Sequence, residues 1–509
     1  MTFRFRTLFL LLLVSAALQA QTDNSPGLCG TRPGNNSFLK KYAAHPQAYP
    51  DNADTLYAGM QIHLLARDNG SARLSAEKML DAFCQLNRDF IPSNIQFFFK
   101  NDWNLIDNTE WFQHDSIEQG ITMMLTNNAP DALNAYFMNK AAGNAGYNLP
   151  YGGVAVRNQD AKYDNHTWTH EIGHALALEH TFIGWEGTLY NPNNPTPDTL
   201  TYDYTFFHDT LDTTVPAPLD TALVEYVDGS NCGIAADRIC DTKPDYLAYR
   251  WECDGQAMST VVQKDPAGTS FKSDGTLYMS YANDHCQTRF SATQSDVMRA
   301  YLQSVKSSWL APAAPAGEIS GAAVPEAPVN GENAPTTGAA LRWTAVPGAT
   351  HYLVQVSRFN TFVLRDQEVI VTDTTMITKV LLPNINYFWR VRPFNVWHTC
   401  ADFSSTGAFK TVPATAVQAA TEEPWRCYPT LLQEGKALTL ELPASWLNQQ
   451  TSFRIVDAAG RLVWASERTL PQARIQLDLP QAQWPAGLYR LVGTSARGVL
   501  RQTLVLARG

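Results

Sequence analysis

Residues 169–180 read Thr-His-Glu-Ile-Gly-His-Ala-Leu-Ala-Leu-Glu-His, and no other stretch restricts the fold as tightly. His170 and His174 stand four apart, so on a helix both imidazoles leave one face and can reach one ion. Neutral imidazole suits Zn²⁺ at about 2.0–2.1 Å, and three protein ligands leave a fourth position for water. Glu171 follows the first histidine, where it can hold that water and take its proton as general base. His180 lies six residues beyond His174. At about 100° per residue, a continuous helix would carry it about 240° away, out of reach of the same ion. For the three histidines to share one ion, the chain must break just after His174.

The 509 residues, 45% hydrophobic and 11% aromatic, suffice for several cores and exclude a disordered or collagen-like chain. A net charge of −10 argues against a nucleic-acid partner, which usually meets a basic face. Residues 1–20 carry Arg4 and Arg6, an apolar run from Leu8 to Val14, and Leu18-Gln19-Ala20, the plan of a secretory signal peptide. The run is shorter than the roughly twenty residues a membrane helix needs, and no later stretch could span a bilayer. The expected product is exported, and its cysteines are free to oxidise.

Composition divides the rest. Residues 21–50 form a candidate pro-segment, and 51–310 have mixed α/β character. Gln61–Leu65, Ile95–Phe99 and Leu133–Met138 read as strands. Ser75 is placed to cap a helix with Met79, Leu80, Phe83, Leu86 and Phe90 on one face. Residues 311–337 are rich in Ala, Pro and Gly and read as a linker. Residues 338–412 turn all-β. With Trp343, the alternation Tyr352/Val354/Val356 and Tyr387–Val391, they resemble a fibronectin type III sandwich, in which a tyrosine pins a corner. Residues 413–509 hold a second β unit, from Cys427-Tyr428-Pro429 through Phe453–Asp457 and Gly487-Leu488-Tyr489 to Gln502–Leu506. This unit resembles the C-terminal sorting domain of type IX secretion cargo in Bacteroidetes. It departs from the usual Tyr-Pro-Asn-Pro opening at Thr430-Leu431. The resemblance implies the type IX machinery as a partner and a secreted or cell-surface location in a Gram-negative bacterium.

The histidine segment resembles the extended metzincin pattern, in which glycine makes the break after the second histidine. Here that position is Ala177, and an alanine at φ > 0 costs roughly 1–2 kcal/mol. Leu277-Tyr278-Met279-Ser280-Tyr281 resembles the family's Met-turn, with Met279 as apolar floor. Tyr281 is then placed to ligate the metal or to donate to an oxyanion. Further matches narrow the resemblance to the pappalysin (cytophagalysin) metzincins: Leu86-Asn87-Arg88-Asp89-Phe90, His180-Thr181-Phe182, Cys240-Asp241-Thr242, and Cys286, Phe290 and Gln294. It implies an α+β catalytic domain with a mixed sheet over the active-site helix and a lower helical subdomain, followed by the two small sandwiches. The implied activity is a zinc endopeptidase acting on proteins or peptides, with His170, His174 and His180 as ligands and Glu171 as base. Several members cleave beside arginine and bind calcium. Eleven acids lie between Thr181 and Asp245 (Glu186, Asp198, Asp203, Asp209, Asp212, Asp220, Glu225, Asp228, Asp237, Asp241, Asp245), and they fit either Ca²⁺ and basic substrate groups or a solvated loop.

Cys253–Cys286 and Cys232–Cys240 are the preferred disulfides. Cys29-Gly30-Thr31 resembles a cysteine-switch element, whose thiolate fills the metal's open position and leaves Cys84 a buried free thiol. The alternative is a Cys29–Cys84 disulfide. His166, one turn before His170, reads as facing solvent. His45, His63, His114, His208, His285, His351 and His398 show no ligand spacing. The rival from another class is a surface adhesion protein on an inactive protease scaffold.

Overall fold

The computed structural model describes residues 29–31, 36–49, 53–149, 153–201, 221–413, 425–432, 436–458, 461–495 and 498–507. The leader lies outside the described residues, as do His208, Asp203, Asp209, Asp212 and Asp220. No described helix is long and apolar enough to cross a membrane. The chain divides into two units, 1–413 and 414–509.

The first unit starts with α1 (Ser37–Ala44) and the long strand β1 (Leu56–Ala66). Next come α2 (Ala76–Phe90), β2 (Ile95–Phe99), β3 (Asn104–Asp107), α3 (Ile117–Asn127) and β4 (Leu133–Met138). β5 (Gly146–Leu149), β6 (Gly153–Arg157) and α4 (Thr167–Ala175) follow. After a long irregular stretch, α5 (Ala292–Ser304) and β7 (Leu310–Ala311) complete this part. β1 pairs in parallel with β2, β3 and β4, and β4 with β6, while β5 runs antiparallel to β6 as an edge strand.

Period-two alternation splits the sheet's side chains between two cores. Met60, Ile62, Leu64, Leu133, Ala135 and Phe137 face the core that contains α2 and α4. Leu65, Tyr136, Met138 and Tyr147 face another that contains α3. α2 follows the sequence pattern. The Ser75 side chain accepts from Lys78 N, and Met79, Leu80, Phe83, Leu86 and Phe90 are all buried. Their 3.6-residue spacing covers the sheet with a continuous apolar stripe.

Three expectations are corrected here. Among the described residues, 176–291 contain no α-helix. The helical part of the lower region is confined to α5 (Ala292–Ser304), and ahead of it stands a turn-rich region with short two-stranded ladders and the disulfides Cys232–Cys240 and Cys253–Cys286. Its Asp, Asn, Gly, Pro and Thr residues bond their own backbone and favour turns over helix. Residues 311–337 are not a plain linker. Pro325–Ala327 and Glu332–Pro335 are strands of the following sandwich, and Ala323 and Ala334 are buried in its core. Small residues fit there because the indoles of Trp343 and Trp389 fill the space, and Trp389 Nε1 donates to Pro328 O at 2.8 Å. Finally, Cys84 is neither free nor joined to Cys29. It is bonded to Cys400, 316 residues away.

The module ending at residue 412 has a three-stranded and a five-stranded sheet around Trp343, Tyr352, Tyr387 and Trp389. Leu382 N donates to the Tyr387 hydroxyl at 3.1 Å, a tyrosine-pinned corner. The module is clamped to α2. Arg390 and Arg365 pair with Glu77, and Arg392 pairs with Asp81 at 2.5 Å. Glu368 accepts from the first-turn amide of Ala76 at 2.7 Å, and Thr399 Oγ1 donates to Leu80 O. Leu353 and Phe394 of the module enter the same core as α2.

The second unit is again a three-stranded and a five-stranded sheet, packed around Trp446, Phe453, Ile455, Trp484, Tyr489 and Leu504.

Candidate metal centre

α4 carries His170 and His174 on one face and ends on the next residue. Ala177 has φ = 72°, so the break that the spacing demands falls at the position the metzincin resemblance implies. Ala177 N donates to His174 O and Leu178 N to Gly173 O, so the exposed carbonyls of the last turn are satisfied as the chain reverses. Asn36 adds a brace: its Oδ1 caps α1 and its Nδ2 donates to Ala177 O at 2.9 Å. Two glycines permit close approaches around this helix. A Cβ on Gly173 would stand 2.4 Å from Met279 Sδ, which puts the Met279 turn directly beneath the helix. A Cβ on Gly146 would stand 2.8 Å from Glu171 Cγ, so β5 can lie against that side chain.

The turn brings His180 back to the first two histidines. His170 Nδ1–H donates to Tyr278 O at 2.7 Å and His174 Nδ1–H to Leu178 O at 3.0 Å. His180 Nδ1 bonds Glu186 Oε1 at 3.0 Å. The two carbonyl contacts fix the Nδ1–H tautomer and leave His170 and His174 each a bare Nε2 lone pair, and an ionised Glu186 does the same for His180. The three Nε2 atoms stand 3.1, 3.1 and 3.2 Å apart. With no proton among them they have nothing to donate to one another, and only an electrophile satisfies all three. Ligands at about 2.0–2.1 Å in tetrahedral array stand about 3.3 Å apart, so the spacing suits a zinc-sized ion. Burial and the neighbouring imidazoles hold His170 and His174 well below their usual titration range, and burial takes His180 to about 3. All three are neutral at pH 7, as a metal requires.

Glu171 is fully buried, and its carboxyl is pushed up to about 8 by burial, against hydrogen bonds that lower it. Those bonds come from Cys29 Sγ at 3.4 Å and Thr31 Oγ1 at 3.0 Å, both to Oε2. Cys29 is a free thiol, 2% exposed. Its sulfur and the ligand atoms of His170, His174 and His180 all lie within 4.8 Å of one another. Residues 29–31 run beside the edge strand β5: Gly30 N donates to Gly146 O at 2.9 Å, and Asn148 N donates to Thr31 Oγ1 at 2.7 Å. Tyr281 is buried nearby, its ring 5.9 Å from that of His170 and 5.2 Å from that of His180.

His166 departs from expectation. It is 8% exposed and its Nδ1 bonds Asp89 at 2.8 Å, because α2 packs a carboxylate against the start of α4. Sequence reasoning also missed Glu186, which it counted only among the loop acids. Six residues after His180, it orients that imidazole and in turn accepts from Gly184 N. Glu186, Glu225, Asp237 and Asp245 are all buried, so these four do not belong to a solvated loop. Burial raises the carboxyls of Glu186 and Asp237 to about 8 and that of Glu225 to about 9.

No family model matches the chain. It is 28% identical over 219 residues to a protein named extracellular metalloprotease from Verticillium alfalfae, across 38% of this chain and 79% of the relative. It is 24% identical over 334 residues to a Colletotrichum graminicola protein of the same name, across 58% of this chain and 98% of the relative. Among solved structures, the FN1-FN3 domains of chicken CNTN1 share 13% identity over 38% of this chain and 69% of that one, with a TM-score of 0.16. The BSP domain of a biofilm associated protein shares 11% over 38% and 30%, with a TM-score of 0.13. Scores this low leave the sandwich to be read from its own strands. The two distant sequence relatives support a metalloprotease function.

Proposed function

We propose that this chain is a secreted zinc endopeptidase of the pappalysin kind of metzincin, held latent by Cys29. The observation that carries the reading is the convergence of three histidine Nε2 atoms, 3.1–3.2 Å apart, beside the buried carboxyl of Glu171. His170, His174 and His180 would hold the metal. Zinc bound there would act as a Lewis acid, lowering the pKa of a water to about 7 and polarising a carbonyl. Glu171 takes the water's proton as its oxygen adds to the peptide carbon, then passes it to the amine nitrogen as the C–N bond breaks. Tyr281, whose ring lies 5.9 and 5.2 Å from those of His170 and His180, donates to the developing oxyanion. The edge strand β5 binds substrate backbone by strand addition, the mode that residues 29–31 already use.

In the latent form Cys29 would bind the metal as a thiolate, while the Thr31 hydroxyl holds the carboxylate of the base. The buried acids Glu225 and Asp237 favour calcium as a second cation, since a cation removes the cost of burying both charged. The leader and the second unit serve export by the type IX route. The adhesion reading loses ground because an inactive scaffold has no use for an intact Glu171.

The test is cleavage of a peptide library by the full chain before and after limited proteolysis, with chelator, zinc and calcium added in turn. Chelator-sensitive internal cleavage that zinc restores supports the reading. No cleavage by zinc-loaded, processed protein refutes it and favours adhesion.

A further inference from the structure

Two buried aspartates grip the chain on either side of Met279, and neither is a ligand or a base. Asp89, near the end of α2, is 5% exposed and accepts four hydrogen bonds. They come from Gln85 at 2.7 Å, from His166 Nδ1 at 2.8 Å and Thr169 Oγ1 at 2.5 Å at the start of α4, and from the Tyr278 hydroxyl at 3.1 Å. Asp245, 3% exposed, accepts from Thr181 Oγ1 at 3.0 Å, Ser280 Oγ at 3.1 Å, Ser273 Oγ at 2.7 Å and Leu247 N at 3.1 Å. Asp89 therefore ties residue 278 to the helix that carries His170 and His174. Asp245 ties residue 280 to the segment that carries His180. The backbone between them completes the link: Tyr278 O receives the Nδ1–H of His170, and Thr181 N donates to Met279 O at 3.2 Å.

We infer that Asp89 and Asp245 are positioning residues, which fix the Met279 turn between the two halves of the histidine set and so hold the three Nε2 atoms in register. The inference rests on the peptidase reading and extends it to residues outside the site. A carboxylate suits the task because it offers about four lone-pair sites and no donor. Its charge-assisted bonds are about twice as strong as neutral ones. An asparagine would turn an NH₂ group toward at least one donor and so break one arm of each clamp.

The test is cobalt substitution of the full chain, with Co²⁺ absorption reporting ligand geometry, a competing chelating dye reporting affinity, and peptide hydrolysis reporting kcat and KM after processing. Removal of an outer partner typically costs 10–100-fold in metal affinity or activity, so Asp89→Asn and Asp245→Asn should each lose at least about 10-fold in both affinity and kcat. KM should stay within about twofold, because no substrate contact is touched. The cobalt spectrum should change while far-ultraviolet circular dichroism does not. If either variant fails to fold, Tyr278→Phe and Ser280→Ala each remove a single donor, and each should still alter the spectrum. Wild-type spectrum, affinity and kcat in all the folded variants would overturn the inference while the peptidase reading stands. A wild-type chain that binds neither cobalt nor zinc would instead overturn the peptidase reading, and the inference with it.

Discussion

Replacing Cys29 with alanine should switch on the uncleaved chain. Residues 29–31 are held by the thiol and the Thr31 hydroxyl on Glu171, by Gly30 N on Gly146 O, and by Asn148 N on Thr31 Oγ1. With a cation beside it Glu171 is ionised, and a hydrogen bond to a charged group contributes about 1.5–3 kcal/mol. A metal-bound cysteine is a thiolate with no proton to donate, so in the zinc-loaded chain that figure belongs to Thr31 Oγ1 on Glu171, and Cys29 contributes through its sulfur. At 1.4 kcal/mol per tenfold, losing the Thr31 bond raises the open fraction about tenfold, and losing the Cys29 sulfur from the metal should raise it at least as far. Thr31→Val removes both contacts of that hydroxyl and should act in the same direction. The assay is hydrolysis of a quenched fluorescent peptide by zinc-loaded protein, with electrophoresis confirming that the chain is uncut. The reasoning fails if Cys29→Ala and wild type are equally inactive while uncut and equally active after proteolysis.

Other predictions concern the frame. Removing Cys84–Cys400 with paired serines should lower the unfolding free energy of the first unit by about 2–4 kcal/mol in a denaturant titration, and an unchanged midpoint would contradict the clamp. Ala177→Gly should stay within about 1 kcal/mol of wild type. Relief of roughly 1–2 kcal/mol at φ = 72° offsets the lost methyl burial and the added chain entropy. A loss of 2 kcal/mol or more would refute that. For the chelated protein, the buried carboxyls of Glu171, Glu179, Glu186, Glu225 and Asp237 have folded-state values of about 8–9, raised above the unfolded ones. Their contribution is complete below pH about 4 and is lost as pH rises through about 8. Above about pH 6.5 the buried neutral histidines no longer titrate in either state, so thermal stability should fall between pH 6.5 and 9. A rise across that window would contradict the assignment.

Local periodicity made much of this legible. The α2 stripe, the strands at 95–99 and 133–138, and a break after His174 follow from spacing, and the metzincin resemblance puts that break at Ala177. What stayed hidden depends on contacts across the sequence. His166, one turn before His170, reads as solvent-facing because the site needs room for water, until α2 brings Asp89 to it. Cys84 reads as a lone thiol because its partner lies 316 residues on. The Ala/Pro stretch at 311–337 has no apolar pattern of its own, and it becomes strand only because Trp343 and Trp389 supply the bulk it lacks. Glu186 reads as one more loop acid, since nothing local distinguishes a buried carboxylate that orients a histidine from a solvated one.

The central claim is that Glu171 acts as the base beside a metal held by three histidines. Its most direct test measures zinc content and peptide hydrolysis together in processed wild type and Glu171→Ala. The account predicts one zinc in each and a rate lower by about 10²–10⁴ in the variant, the span of a general base. A variant that keeps zinc and cleaves at the wild-type rate, or a wild type that cleaves without zinc, would contradict it.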